Sequence, residues 1–299
     1  MVVLDLTKET VLSWRLRYNI SKFPDGQQSI EIISQDPKDF YDMSHMIKEG
    51  VEIWSRMNSF KDVELIVLAN QALKNLKVKK IELFVPYFLG ARSDRKFVRG
   101  SVNYIKDVIA PIINLQGFDK VTVVDPHSDV LEACLNNFEK KSNHDLVRKS
   151  LMKYWSETNQ IISDMSKVVF VSPDAGALKK VYGVSDMFTS KYDVLVCSKY
   201  RDIDGKLSKT NVPLTDDVLD KDLFIVDDIC DGGGTFINLA KEIKSNEKFT
   251  GKIYLIVTHG IFSRGYEGLS EYFEKIYTTN SISDEVDENN LVTRFDVFN

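Results

Sequence analysis

The stretch 223–240, Leu-Phe-Ile-Val-Asp-Asp-Ile-Cys-Asp-Gly-Gly-Gly-Thr-Phe-Ile-Asn-Leu-Ala, limits what this chain can fold into more than any other part of it. Its four apolar residues 223–226 read as a buried strand, with Asp227 and Asp228 at the carboxyl end. Asp231 and the glycines Gly232, Gly233 and Gly234 then lead to Thr235 and to apolar residues at helical spacing. Glycines let a backbone come close to a ligand, and N–H groups opening a helix offer donors and partial positive charge to a phosphate. A carboxylate pair repels phosphate, so Asp227 and Asp228 read as holders of sugar hydroxyls, or indirectly of Mg2+, beside it. The competing reading is a plain glycine-rich turn between a strand and a helix.

The order of residues departs from the two common phosphate loops. No Lys-Ser/Thr follows the glycines, as it would in a P-loop, and there is no Gly-x-Gly-x-x-Gly fingerprint. The 299 residues leave room for two domains of about 150 residues each. With 43% hydrophobic and 28% charged residues, the composition is that of a soluble globular protein. A formal net charge of -5 argues against nucleic acid as the main partner. No apolar run approaches the roughly 20 residues that span a bilayer, and the first residues lack a signal-peptide layout, so no membrane partner and a cytoplasmic setting are expected. Cys134, Cys197 and Cys230 are too few and too scattered for a disulfide frame or a zinc cluster, and read as buried thiols. Cys230 stands apart because it lies in the glycine loop, where a reactive thiol is conceivable.

Along the chain, residues 11–17 and 29–34 alternate as strands and are joined through Phe23-Pro-Asp-Gly-Gln27, a turn. Residues 51–55 predict a strand, 60–76 a helix, 81–87 a strand, 102–115 a helix and 121–124 a strand. Residues 136–166 change character: 136–144 are polar, 146–165 predict an amphipathic helix, and the region is taken as inter-domain. Strands at 168–171, 193–197 and 253–257 and a helix near Leu178 restore the alternation, with a polar stretch before residue 222. Strands alternating with helices imply parallel sheets, whose ligands bind beyond the carboxyl ends of the strands. The expected fold is α/β with two similar halves, divided as 1–140 and 141–299.

Several charged groups fall at those ends. Arg92, Asp94, Arg95 and Lys96 follow one predicted strand, which a solvated loop would also explain. His127 lies between Asp125 and Asp129, a setting for metal ligation or for an ordinary structural histidine. Asp174 sits in a Pro-Asp-Ala-Gly loop, and Lys199 and Arg201 are alternate residues of an extended segment, able to face one anion.

Taken together, these segments resemble one family. Tyr87-Phe-Leu-Gly-Ala-Arg-Ser-Asp-Arg-Lys96, Val124-Asp-Pro-His-Ser-Asp129, Ser172-Pro-Asp-Ala-Gly-Ala-Leu-Lys179, Val226-Asp-Asp-Ile-Cys-Asp-Gly-Gly-Gly-Thr235, Thr258-His-Gly-Ile-Phe-Ser263 and Thr279-Asn-Ser-Ile282 are similar, in order and spacing, to ribose-phosphate pyrophosphokinases. The resemblance runs over nearly the whole chain from Phe23. It implies two tandem type I phosphoribosyltransferase domains, each a mostly parallel sheet flanked by helices. It also implies Mg2+ and transfer of the β,γ-diphosphate of ATP to the anomeric hydroxyl of a ribose 5-phosphate unit, with release of AMP. By resemblance His127 and Asp174 hold Mg2+, and Arg92, Ser93, Asp94 and His127 belong to the ATP site. Phe23, Asp25 and Gln27 match a segment that reaches the adenine of a neighbouring subunit, which implies a homodimer or higher oligomer. Lys199 and Arg201 match a catalytic pair that closes over the diphosphate. Asp227 and Asp228 would take the ribose hydroxyls, and Asp231, Gly232, Gly233, Gly234 and Thr235 the 5-phosphate.

Four positions depart from the family pattern: Gly232 replaces a threonine, Ser93 a glutamine, Gln27 a glutamate and Val130 a glutamine. Loss of a hydroxyl at Gly232 removes a donor to the 5-phosphate and opens space there. The chain resembles divergent, shorter, viral members associated with NAD salvage, for which the setting would be the host cytoplasm. An acceptor extended beyond the 5-phosphate, ADP-ribose, is therefore favoured over ribose 5-phosphate. A non-catalytic regulatory relative and a transferase that consumes the activated sugar are the alternatives. The retained His127, Asp174, Lys199, Arg201 and loop aspartates speak against the former, and the Arg92 loop with a duplicated domain against the latter.

Overall fold

The structure, a computed structural model, describes residues 1–8, 16–33, 48–96, 98–158, 165–186, 194–201, 207–287 and 289–299, with the backbone alone for 199–201 and 207–210. Two compact units emerge, Met1–Lys141 with Phe298, and Ser142–Val297 with Asn299.

The first unit carries β1 (Val2–Asp5), β2 (Tyr18–Lys22), β3 (Gln28–Ile32), β4 (Val51–Trp54), β5 (Ile81–Phe84), β6 (Lys120–Val124) and β7 (Phe138–Lys141). Five of these form a parallel sheet in the order β1-β4-β5-β6-β7, and β2 and β3 form a separate antiparallel hairpin. Its helices are α1 (Phe60–Asn75), α2 (Ala110–Leu115), which continues a π-helical turn Ile105–Ile109, and α3 (Val130–Cys134). Helix α1 forms because Val63, Ile66, Ala69 and Leu73 recur on one face and bury against the sheet. At its start Asp62 Oδ2 accepts the Ser59 N–H at 2.8 Å, satisfying a donor the first turn cannot. The hairpin rests on the same helix through Gln28, whose Nε2 donates to Lys61 O and Glu64 Oε2, both at 2.9 Å.

The second unit carries β8 (Val168–Ser172), β9 (Val194–Val196), β10 (Ser198–Arg201), β11 (Leu207–Asn211), β12 (Asp222–Cys230), β13 (Ile253–Gly260), β14 (Lys275–Thr279) and β15 (Val292–Phe295). Six of them make a parallel sheet in the order β15-β14-β13-β12-β8-β9, while β10 and β11 pair antiparallel. Around it lie α4 (His144–Thr158), α5 (Leu178–Asp186), α6 (Gly234–Lys244) and α7 (Glu267–Ser270). Central strands β12 and β13 are buried almost throughout, as a sheet covered on both faces requires.

Three expectations change. The first arm of the hairpin is Tyr18–Lys22; of the strand expected at 11–17, residues 11–15 lie outside the described ones and Leu16 hydrogen-bonds Val3 O instead. The polar segment after Asn136 is no linker, because Phe138–Lys141 is the edge strand of the first sheet. Helix α4, expected between domains, is core of the second unit: Leu146, Val147, Leu151, Tyr154 and Trp155 pack with Phe224 and Tyr254. Tyr154 also ties α4 to the sheet by donating to Asp222 Oδ2 at 2.6 Å.

Candidate active site

In the first unit the loops following β5 and β6 converge. Asp94 is buried, which opposes its charge, yet the Ser128 hydroxyl, Arg95 and His127 outweigh burial and hold its carboxyl below the usual range. The loop around it is fixed by Asn103, whose Nδ2 donates to Asp94 O at 2.5 Å, and by the Tyr104 N–H donating to Ser93 O at 2.9 Å. Gly90 adopts φ +82 with the Tyr104 ring against it, so closely that a Cβ would lie 2.3 Å from Cδ1. Asp125, buried and at φ 44, turns the chain out of β6 toward His127. Arg92 and His127 are exposed and Ser93 is half-buried, a surface able to receive an anion-bearing ligand. Phe23, Asp25 and Gln27 occupy the exposed tip of the hairpin, where Asp25 Oδ1 accepts the Gln27 N–H at 3.1 Å.

In the second unit β12 runs past the point where β8 stops. Their pairing ends at Ile225 and Val171, so the last residues of β12 keep β13 on one side alone. The sequence placed Asp227 and Asp228 after the strand; they lie within it, because β13 pairs on to Cys230. Successive strand residues face opposite ways, and the two aspartates accordingly differ. Asp228 is buried and forms an ion pair with Lys180 of α5, Nζ to Oδ2 2.6 Å. Asp227 keeps accessible surface, and burial of its carboxyl, then the charges of Asp228 and Asp174, push its pKa well above the ordinary value. Asp174 Oδ1 caps its own loop, accepting the N–H groups of Gly176 and Ala177 at 2.9 and 3.1 Å.

The sign of the Asp227 shift gives a prediction. A carboxyl whose folded pKa is raised loses stability for the fold as pH climbs from its unfolded value, 3.8, toward the folded one. Asp227→Asn is therefore expected to raise the melting temperature of the ligand-free protein more at about pH 8 than at about pH 3, where the wild-type group is mostly protonated in both states. Thermal unfolding at the two pH values checks this; equal shifts at both would contradict it.

The glycine loop is built for close approach at one position in particular. Gly233, the N-cap of α6, has φ +75, and a Cβ there would lie 3.0 Å from Leu269. Gly232 has no such backbone demand, but a Cβ on it would lie 3.1 Å from Cδ and 3.2 Å from Nε of Arg264. Gly234 and Thr235 open α6, whose Phe236, Leu239, Ala240 and Ile243 bury its other side. The segment after β13 braces the loop: Ile261 and Phe262 N–H groups reach Cys230 O at 2.8 and 3.2 Å, and Ser263 Oγ donates to Asp231 Oδ1 at 2.5 Å. Phe262 holds φ 48 there, a strained backbone at a bracing point. Behind the loop, Ser281 Oγ lies 2.9 Å from Nδ1 of buried His259, and Thr279 Oγ1 donates to Thr258 O at 2.7 Å.

Cys230 is not the reactive thiol its place in the loop allowed. It is the last residue of β12, fully buried, and burial followed by Asp227 and Asp231 pushes its thiol up to about 12. Alkylation of the native protein at neutral pH is expected to spare Cys197 and Cys230 and to reach half-buried Cys134 first; rapid labelling of Cys230 would contradict this.

Lys199 and Arg201 lie on β10 as alternate residues, and their side chains fall outside the described ones. His127 belongs to the first unit and Asp174 to the second. Among the described residues no group of three or more His, Cys, Asp or Glu is arranged to hold a metal alone. Mg2+ keeps several waters and takes one or two carboxylates together with substrate phosphates, a donor set that the neighbouring carboxyls of Asp174 and Asp227 fit when it arrives on a nucleotide. Lys180, Ser128, Ser263 and Arg264 act at these loops although no local pattern singled them out; Lys180 lies one residue beyond the stretch that drew attention to Asp174.

Comparison with known proteins agrees with this geometry. Residues 144–288 match the model of the phosphoribosyl transferase domain. A ribose-phosphate pyrophosphokinase of Pyrococcus furiosus is 24% identical, over 91% of this chain and 88% of that protein. The enzyme of the same name from Thermococcus kodakarensis is 26% identical over 93% of this chain and 90% of its own. Along nearly its whole length the chain is similar to ribose-phosphate pyrophosphokinases. A crystal structure of phosphoribosylpyrophosphate synthetase from Mycobacterium smegmatis, 18% identical, superposes with a TM-score of 0.73 over 95% of this chain and 87% of that one, and has the same fold. The family's α/β architecture of parallel sheets flanked by helices is the one found here.

Within the family frame the departures take physical form. The space expected beside Gly232 is covered by the Arg264 side chain. Val130 starts α3, half-buried, with its N–H 3.4 Å from Ser128 Oγ.

Proposed function

We propose that this protein is a Mg2+-dependent pyrophosphokinase that moves the β,γ-diphosphate of ATP onto the anomeric hydroxyl of a ribose 5-phosphate unit and releases AMP. The observation that carries this is the end of β12 in the second unit, where Asp227, Asp228 and Asp174 stand close together beside a glycine loop opening α6, in a chain matched over nearly its full length by ribose-phosphate pyrophosphokinases. Asp227 faces the ligand side with a carboxyl that resists ionisation, suited to a hydroxyl that must be held without charge repulsion from the diphosphate. The loop N–H groups from Gly232 to Thr235 take the 5-phosphate. Arg92, Ser93, Asp94 and His127 bind the nucleotide, with Phe23, Asp25 and Gln27 serving the adenine of a neighbouring copy; the exposure of Phe23 at a turn supports this role, which makes the working form a homodimer or higher oligomer.

The anomeric oxygen attacks the β-phosphorus, the bond from that phosphorus to the α,β-bridging oxygen breaks, AMP departs with the bridging oxygen, and the hydroxyl proton passes to solvent. Lys199 and Arg201 close over the diphosphate and exclude the water that would otherwise accept it. His127 and Asp174 would each serve as a Mg2+ ligand, and the metal would supply neutralisation of the phosphate charge. Catalysis then rests on positioning and electrostatics, without a dedicated base.

For the acceptor, the replaced threonine at Gly232 favours ADP-ribose, whose phosphate continues into AMP, giving an activated ADP-ribose for NAD salvage. The names of the relatives favour ribose 5-phosphate. Comparing kcat/KM for the two acceptors with Mg-ATP, products identified by mass, decides it: a higher value for ADP-ribose is expected, and preference for ribose 5-phosphate would make the loop change a drift without consequence. We place the reaction in the cytoplasm, of the host for a virus-borne chain. No helix among the described residues is long and apolar enough to cross a membrane.

A further inference from the structure

The side chain that covers Gly232 is a long cation with no task in the ligand-free fold. Among the described residues Arg264 makes no hydrogen bond or ion pair, and it is exposed. Its neighbour Arg294 is fully engaged by contrast, with Nη2 donating to Tyr266 OH at 2.7 Å and the guanidinium 6.0 Å from the rings of Phe262 and Tyr266. Asp231, the acid nearest in sequence to Gly232, is taken by Ser263 on both its carboxylate and its carbonyl. Arg264 nevertheless does not hang free at its base. The segment 261–263 is pinned to the end of β12 by three backbone hydrogen bonds, which places the root of Arg264 at the glycine loop whatever its tip does. Cδ and Nε lie against the Cα of Gly232, where any side chain would push them away.

We propose that Arg264 is a specificity-determining residue that binds the anionic group extending from the 5-phosphate of the acceptor, so that the site selects a diphosphate-linked ribose over a ribose monophosphate. The inference rests on the reading of the glycine loop as the acceptor's phosphate site. The loop's own N–H groups suffice for a first phosphate, as they do at helix N-termini generally. Gly233 is buried in the floor of the loop, while Gly232 lies partly exposed at its edge, so the guanidinium reaches what leaves the loop and not what sits in it. A planar guanidinium pairs two phosphate oxygens at once, which a hydroxyl at Gly232 could not do. The glycine at 232 is then the room that lets the arginine lie across the loop.

The test is Arg264→Ala, with Arg264→Lys as a charge-retaining control, assayed for AMP release with ADP-ribose and with ribose 5-phosphate. A single charged contact to phosphate predicts a rise in KM for ADP-ribose of about tenfold or more in Arg264→Ala. The KM for ribose 5-phosphate should change less than about threefold, with KM for ATP unchanged and Arg264→Lys in between. An equal loss with both acceptors, or no loss with either, overturns the proposal. Calorimetric binding of ADP-ribose and ribose 5-phosphate to the two proteins without ATP separates the two readings. If turnover is absent but ADP-ribose binding depends on Arg264, the proposed activity fails and this inference stands. If AMP is released normally and Arg264→Ala binds ADP-ribose as wild type does, the inference fails and the activity stands; binding of neither ligand overturns both.

Discussion

Replacing Asp228 by alanine is expected to cost about 3 kcal/mol of folding stability and to raise the KM for the acceptor by about a hundredfold. The stability term arises because the partner is left behind. Lys180 Nζ, 2.6 Å from Asp228 Oδ2, has a side chain only 18% exposed, so its charge would lose its counterion without gaining full access to water. Removing one member of such a pair costs more than the pair is worth, since the remaining charge is neither solvated nor neutralised. The binding term follows from position: Asp228 N–H donates to Asp227 Oδ1 at 2.9 Å, so the backbone and side chains of both aspartates move as one unit. Lys180→Ala alone should be milder, and the double variant should recover part of the loss, giving a coupling of about 1–3 kcal/mol in a double-mutant cycle. Denaturant unfolding of the four proteins measures it; additive losses would mean the pair does not act together.

Lys199→Ala is expected to lower kcat by about a thousandfold with ATP binding unchanged within a factor of about three. A lysine that meets the diphosphate only as it transfers stabilises the transition state and leaves the ground state nearly alone, which lowers kcat and kcat/KM together. Its position on the short antiparallel pair β10 and β11, outside the six-stranded sheet, suits a segment that closes after substrates bind. Single-turnover kinetics and a nucleotide-binding isotherm test the split; loss of ATP binding with residual turnover intact would contradict it.

What the sequence revealed and what it hid follow different physics. The glycine loop, the alternation of strands and helices, and the charged loops at strand ends were readable because each is a local pattern: φ > 0 at Gly233, apolar spacing in α6, Asp125 turning out of β6. Residues 138–141 looked like a linker because an exposed edge strand buries almost nothing, and a half-buried Phe138 followed by Glu and Lys carries no alternation to read. Helix α4 showed its amphipathic face, but the sequence could not say which sheet would cover it; the aromatic contacts of Tyr154 with Phe224 and Tyr254, both at 5.1 Å, are long-range. The same holds for the site. Lys180 meets Asp228 across forty-eight residues, and Arg264 meets Gly232 only because the segment after β13 folds back onto β12. The strand β12 was drawn too short because two aspartates look like a strand's end, whereas β13 supplies partners as far as Cys230.

Transfer of an intact diphosphate is tested by following label from ATP marked at its β-phosphate, with Mg2+ and each acceptor in turn. The label is expected to leave the nucleotide and to appear on the sugar in a product heavier by a diphosphate, with unlabelled AMP formed in equal amount. Label retained in ADP, or remaining in ATP with both acceptors, would contradict it.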